Sequence, residues 1–271
     1  MALQDLLDLS KSRQKIGLSE ERVRAMIPVA RQYVSFWRDY PDLFVDFLAQ
    51  GTNFKLYYYQ RVFLRGVIRH KYFYGVFPRA YSKSFLAVMV LMIRCILYPG
   101  AKLFVTSGGK EQSAGIIKEK VQEICSLIPS FHREINWERG VTTEGKDYCK
   151  YVFKNGSYFD NIAANEKSRG KRRHGFVGEE CVGIDGKILS EVLIPITNIS
   201  RRLANGDTIQ EEKLNKSQCM VTTAGYKSTF ARLKRFIGEL KPREPLIRGV
   251  NISNIFANSE SPKGITLCQA A

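Results

Sequence analysis

The sequence is poor in the residues that build metal knuckles and disulfide frameworks. Its three histidines, His70, His132 and His174, stand far apart, which argues against a zinc site. Its six cysteines, at 95, 125, 149, 181, 219 and 268, are scattered without a close pair. They read as reduced core thiols of a cytosolic protein. No apolar run is long enough to span a membrane. The longest, Phe85 to Leu97, contains Arg94 and reads as a buried helix. The N-terminus, MALQDLLDLSKSRQK, has no basic region ahead of an apolar one, so it does not read as a secretion signal. Acidic residues are the scarce charge: 26 Asp and Glu against 42 Lys and Arg leave a net charge of +16. A balance that basic favours a polyanionic partner, nucleic acid or an anionic membrane surface.

What is present is a globular composition, 44% hydrophobic and 25% charged, in 271 residues. That length suits one large domain, or one domain plus a small appendage. Three parts are expected. Residues 1–52 read as a helical N-terminal segment. Ser19 caps a helix whose apolar positions Val23, Ile27, Ala30, Val34 and Trp37 recur at helical spacing, until Pro41 breaks the run. Residues 53–240 alternate strands and helices. Strands are expected at 71–77, 102–107, 174–180 and 218–224, with helices from Ser84 and from Lys110 to Ile128. A hairpin is expected over 151–163, turning at Asn155-Gly156. This alternation predicts an α/β fold with a mostly parallel sheet flanked by helices. Residues 241–271 lose periodicity and read as a linker or truncated tail.

The turn between the first strand and its helix reads Pro78-Arg79-Ala80-Tyr81-Ser82-Lys83-Ser84. A strand, a tight loop, a Lys-Ser pair and a helix are the parts of a phosphate cradle. Backbone N–H groups and the helix N-terminus hold the phosphates, the lysine reaches the outer oxygens, and the hydroxyl ligates magnesium. The match to G-x-x-x-x-G-K-[ST] is imperfect, because Phe77 and Ser82 stand where glycines are usual. An ordinary helix cap at Ser82 or Ser84 is the competing reading. Three further features fall in order along the chain. Glu179 and Glu180 end the third strand, where a carboxylate pair can hold magnesium and activate water. Thr222 and Thr223 end the fourth, where small hydroxyls can sense a γ-phosphate. Gln60 precedes the first strand, and its amide can both donate to and accept from an adenine edge. Lys171, Arg172 and Arg173 form either a basic surface turn or a contact to DNA phosphate. The aromatic clusters at 57–59 and 72–74 are read as core packing ahead of base stacking.

Together YYYQR, PRAYSKS, SRGKRRHGFVGEECVGIDGKILSEV and MVTTAGY resemble the ATPase domain of tailed-phage terminase large subunits, over roughly residues 53 to 230. The resemblance implies a P-loop NTPase fold of the RecA/ASCE-like kind, with ATP and Mg2+ as its ligands. It implies Gln60 at the adenine and Arg79, Ala80, Tyr81, Ser82, Lys83 and Ser84 around the phosphates. Ser84 and Glu179 fall on the metal, Glu180 is the base, and Thr222 and Thr223 couple hydrolysis to movement. Arg169, in the Arg-Gly pair, matches an arginine that reaches the neighbouring subunit's γ-phosphate in a ring. Two positions depart from the family pattern: Glu179 stands where an aspartate is usual, and Gly178 where an apolar residue is usual. The implied function is translocation of double-stranded viral DNA into a procapsid. The implied setting is the host bacterial cytoplasm, with a homo-oligomeric ring docked on a portal protein and a terminase small subunit as partner. The alternatives are another helicase-like P-loop motor, or a non-enzymatic basic DNA-binding module with a degenerate nucleotide site. No nuclease activity is expected. Between Gly225 and Ala271 the only carboxylate side chains are Glu239, Glu244 and Glu260, too few for a two-metal site. Asp160 and Asp185 read as structural.

Overall fold

Four apolar runs of the sequence become neighbouring strands of one sheet. They are β1 (Tyr72–Phe77), β2 (Lys102–Thr106), β6 (Gly175–Glu179) and β7 (Ser217–Thr223). With the short strands β3 (Thr143–Glu144), β4 (Cys149–Val152), β5 (Tyr158–Asn161) and β8 (Gly249–Asn251), the order is β3-β4-β5-β2-β6-β7-β1-β8. Every pairing from β5 to β8 is parallel, and β3–β4 and β4–β5 are antiparallel. The β4–β5 hairpin turns around Gly156, whose φ of +79° is left-handed, as the Asn-Gly pair predicts. These features come from a computed structural model that describes residues 20–203, 206–208, 211–223 and 249–251.

The central strands are apolar on both faces because both faces are covered. Val105, Val177 and Val221 point into one core, packed with residues of α3 (Tyr58–Arg69), α4 (Lys83–Leu97), α5 (Lys110–Leu127) and α6 (Pro129–Glu134). Phe104, Phe176 and Met220 point into a second core with Cys181, Ile184, Leu189, Val192 and Ile196. Helix α4 is the Phe85–Leu97 run, buried on nearly all sides. Its Arg94 is 2% exposed and donates to Ser217 Oγ at 3.1 Å and to the Val67 carbonyl at 2.8 Å. Gly178 allows close packing on the second face. A Cβ there would lie 2.7 Å from Met220 Sδ, so the side chain expected at this position is replaced by a neighbour's.

Two compact units divide the chain, Met1–Phe36 and Trp37–Ala271. Helix α1 (Glu20–Asp39) begins in the first, and its expected Ser19 cap lies outside the described residues. Helix α2 (Pro41–Leu48) belongs to the second unit. Its buried Asp42 receives Arg65 through two bonds, at 2.6 and 2.9 Å, and its Asp46 receives Arg61 at 2.6 and 2.9 Å. The boundary drawn at residue 52 therefore runs between two helices that are ion-paired to each other. The signal for this was the Asp-x-x-x-Asp and Arg-x-x-x-Arg spacing, which puts each pair on one helix face. The linker or tail expected over 241–271 lies outside the described residues apart from 249–251.

His174 precedes β6 and is buried, its Nδ1 accepting the Lys102 N–H at 2.9 Å. Burial, with Lys102, Arg201 and Arg173 nearby, pushes its pKa down to about 4. Unfolded histidine titrates near 6.5, so the unfolded chain binds the extra proton between those two values. Stability is therefore expected to fall as pH drops from about 6.5 to about 4, by at most about 3 kcal/mol from this group. Urea denaturation across that range should show a shallower acid limb in His174→Asn than in the wild type. Parallel limbs would refute it.

Candidate nucleotide site

Strand β1 ends at Phe77, which is fully buried, and the chain must turn at once to start α4 at Lys83. Ala80 and Ser82 make the turn with φ of +64° and +50°. Left-handed backbone in non-glycine residues costs on the order of 1–3 kcal/mol each, and such strain concentrates at ligand sites. Ser82 takes at the usual glycine position the conformation a glycine would take. Phe77 is a core residue, so the motif's other glycine has no counterpart here.

Strand β7 lies between β1 and β6, and all three are parallel, so their C-terminal ends meet at one edge. Phe77 is in register with Thr223, and Glu179 with Val221. Ligands of open α/β sheets bind at such an edge. The turn after β6 aims Glu180 back across β7 through a left-handed φ of +48°. Lys83 Nζ donates to Glu180 Oε1 and, at 3.3 Å, to Thr223 Oγ1. Thr223 grips the same carboxylate, with its hydroxyl 2.8 Å from Oε1 and its N–H 3.4 Å from Oε2. Thr222 Oγ1 donates to Oε2 at 3.3 Å. The Ser84 hydroxyl donates to Glu179 Oε1, and Lys83 Nζ lies 3.9 Å from that oxygen.

The two carboxyls have opposite electrostatics. Burial raises Glu179 above the ordinary carboxylate range, and Ser84 and Lys83 only partly offset it. Burial also pushes Glu180 upward, but the bonds from Lys83 and Thr223 outweigh it and hold the carboxyl below its usual value. Glu179 Oε2 is buried and has no hydrogen-bond partner. An orphaned carboxylate oxygen beside a serine hydroxyl fits a hard cation, which favours oxygen ligands. Among the described residues no group of three or more His, Cys, Asp or Glu can hold a metal.

Lys83, Ser84, Glu179, Glu180, Thr222 and Thr223 are thus brought together. Arg79 and Ala80 are exposed at the loop's tip, with Tyr81 half-buried. Gln60 sits at the start of α3 and is 4% exposed. Its Oε1 accepts the Tyr57 N–H at 2.9 Å, so the amide serves a helix cap. Tyr59 reaches the loop, its ring 5.6 Å edge-on from that of Tyr81. Tyr57 and Tyr58 are exposed and overturn their reading as core residues, since in an N-terminal helical turn only Tyr59 faces inward. Arg169 is exposed and ion-paired with Glu166 and, at 3.3 Å, with Glu191. Lys171 and Arg172 are exposed, whereas the Arg173 guanidinium is held by the buried Asp160. Arg173, which the sequence reads as a contact to DNA phosphate or a basic surface turn, bonds a buried carboxylate instead of standing free at the surface. Nothing in the sequence marks that pair: Asp160 lies on β5 and Arg173 in the loop before β6, without a motif.

No protein-family model matches the chain, and no curated protein matches it. Similar solved structures are phage large terminases. The Thermus phage P74-26 large terminase ATPase domain is 18% identical, with 66% of this chain and 70% of that one aligned and a TM-score of 0.43. The HK97 bacteriophage large terminase is 13% identical, over 64% of this chain and 34% of that one, with a TM-score of 0.46. The large terminase from a thermophilic bacteriophage is 8% identical, over 62% and 38%, with a TM-score of 0.38. The architecture of this chain is a mostly parallel sheet flanked by helices.

Proposed function

We propose that this chain hydrolyses ATP and works as the motor domain of a phage DNA-packaging terminase. The observation that carries the reading is the convergence of Lys83 and Ser84 with Glu179 and Glu180 across the end of β7. Lys83 binds the outer phosphate oxygens, and the N-terminus of α4 supplies backbone donors. Ser84 and Glu179 would hold Mg2+, which would supply positive charge to the phosphates. Glu180 orients the attacking water and accepts its proton. Thr222 and Thr223, joined to Glu180, relay the state of the site to β7. Phosphate release from ATP that requires Mg2+ and rises with duplex DNA is the direct test. A folded protein that neither binds nor turns over Mg·ATP would end this reading.

The motor acts as a ring on double-stranded viral DNA, docked on a portal protein in the host cytoplasm, with a terminase small subunit as partner. In such a ring Arg169, exposed and paired with the surface carboxylates Glu166 and Glu191, swings to the neighbouring subunit's γ-phosphate. Specific activity is then expected to climb with protein concentration. Mixing Arg169→Ala with Glu180→Gln subunits should recover part of it, since one composite site is intact. Mixed oligomers with no recovery at any ratio would assign Arg169 a role within its own subunit. The chain is also expected to leave supercoiled plasmid uncut with Mg2+ or Mn2+. Asp160 is engaged by Arg173, and Asp185 caps the N–H groups of Lys187 and Ile188 at 2.8 and 3.1 Å. Linear product lost on substituting Asp160 or Asp185 would contradict this.

A further inference from the structure

Among the described residues three buried side-chain atoms make no hydrogen bond of good geometry: Glu179 Oε2, Thr106 Oγ1 and the Tyr74 hydroxyl. The first lies in the nucleotide site and the other two do not. Tyr74 is 5% exposed on β1 and points into the second core, on the sheet face opposite α4. Met220 of β7 is in register with it, and Gly178 of β6 with Met220. A buried hydroxyl without a strong partner costs stability instead of adding it. The fold therefore gives no reason for a tyrosine here, where a phenylalanine would pack.

The phenol meets the turn that carries Glu180. Its hydroxyl lies against the Cys181 thiol, a weak partner, and Glu180 is within electrostatic reach. Strand β7 runs between β1 and β6, so Tyr74 reaches over β7 to make this contact. On the opposite face Lys83, which follows the loop after β1, reaches over the end of β7 to Glu180. The Glu180 turn is thus gripped from both faces by side chains of one strand-loop-helix unit. It needs that grip, because Glu180 holds φ of +48° and ψ of +47°, a left-handed conformation unfavourable for a residue with a Cβ. Two backbone bonds hold the turn from within, Gly183 N–H to the Glu180 carbonyl at 2.8 Å and Ile184 N–H to that of Cys181 at 3.1 Å. The Cys181 and Ile184 side chains seat it on the second core, 1% and 7% exposed. Burial, with Glu180 nearby, raises the Tyr74 phenol above its usual range and pushes the Cys181 thiol up to about 12, so both stay protonated while the site works.

We infer that Tyr74 is a positioning residue for Glu180: its hydroxyl, acting through Cys181, props the left-handed turn so that the carboxylate meets Lys83 and Thr223. The inference rests on the proposed role of Glu180 as base. Deleting the oxygen leaves a gap against Cys181 into which the turn can settle, and Glu180 with it. The groups that face the Glu180 carboxylate are Lys83 of α4, Thr222 and Thr223 of β7 and Glu179 of β6. A shifted turn changes its distance to all of them.

Tyr74→Phe removes one oxygen and keeps the ring. Its kcat for ATP is expected to fall about tenfold or more, since displacing a reacting group by about 1 Å can cost about a hundredfold. The Kd of Mg·AMP-PNP should stay within about twofold, because the phosphate loop is untouched. The acid limb of kcat should move to higher pH as the Thr223 bonds to Glu180 loosen. The melting temperature should hold or rise, since no strong bond is lost. Cys181→Ala should reproduce the kinetic effects, and Tyr74→Phe/Cys181→Ala should be no worse than the worse single variant. Thr106→Val deletes the other orphaned hydroxyl, on β2, and should leave kcat and its acid limb alone. With no nucleotide present, amide exchange at Gly183 and Ile184 should quicken in Tyr74→Phe. Unchanged exchange overturns the inference whatever the ATPase does, which separates its failure from that of the motor reading, ended by an inert wild type. In an active wild type, equal losses in Thr106→Val would reduce the effect to repacking of the second core and overturn the inference. Lowered melting with kcat and its acid limb unmoved would make Tyr74 structural only. Multiplied losses in the double variant would break the route through Cys181.

Discussion

Lys83→Ala is expected to bring ATP turnover down to background, a loss on the order of a thousandfold or more. Among the described residues Lys83 is the one cation joined to both carboxylates, bonding Glu180 Oε1 and lying 3.9 Å from Glu179 Oε1. In the proposed site, removing it withdraws the charge that would meet the outer phosphate. It also leaves two adjacent carboxylates without their counter-ion, so like-charge repulsion raises the pKa of one or both. A second signature follows from that. Mg·ATP binding by Lys83→Ala should weaken further as pH rises from about 5 to 8, because the uncompensated pair then carries its full negative charge. Isothermal titration at the two pH values, on protein shown to be folded by its melting transition, checks both. A folded variant with wild-type turnover would remove the loop at 78–84 from the phosphate site. The Ser82 and Ser84 positions would then be no more than helix-cap residues.

The elements that carry this chemistry were legible because each is announced by a local pattern. Apolar runs bounded by polar turns predict β1, β2, β6 and β7, and α4 and α5 start within a residue of where the sequence puts them. The Lys83–Glu180 pairing was legible as a juxtaposition, since parallel strands must bring their C-terminal ends to one edge. What the sequence hid is non-local. Nothing local tells that β7 runs between β1 and β6, yet that insertion lets Thr223 hold Glu180 by hydroxyl and N–H together. Gly178 looked like a missing apolar residue, until Met220 from the next strand filled its space. Gln60 was read as a base-recognising amide because its residue type suits adenine, and at the third position of a helix its Oε1 also closes a cap, which the residue type alone does not tell. Tyr57 and Tyr58 read as core because tyrosines cluster there, while helical geometry turns only one of the three inward.

Glu180→Gln should keep Mg·ATP binding and slow hydrolysis a hundredfold or more, as expected for losing a positioned base. The argument rests on how differently the site treats its two carboxyls. Glu179 is 2% exposed and raised by burial, with one oxygen on Ser84 and the other unpartnered. Such a group gains most from a cation at its free oxygen, so Glu179→Gln should show mainly as a higher Mg2+ requirement. Glu180 is more exposed and is kept ionised by Lys83 and Thr223. A carboxylate held that low is a weak base, and it becomes a better one when Lys83 is drawn to phosphate and its pKa rises toward the usual range. The amide of Glu180→Gln still accepts from Thr223, so the fold and the coupling bond survive while the proton acceptor is gone. In the wild type, kcat should fall on the acid side as Glu180 protonates in the substrate complex, and that limb should vanish in Glu180→Gln. Thr223→Val removes one of the bonds that hold the carboxyl low, so its acid limb should move to higher pH, with Thr223→Ser restoring it. If Glu179→Gln proves the more damaging to turnover at saturating Mg2+ while Glu180→Gln is mild, the two roles are reversed. The base would then be the buried carboxyl, whose unpartnered Oε2 would be its catalytic lone pair.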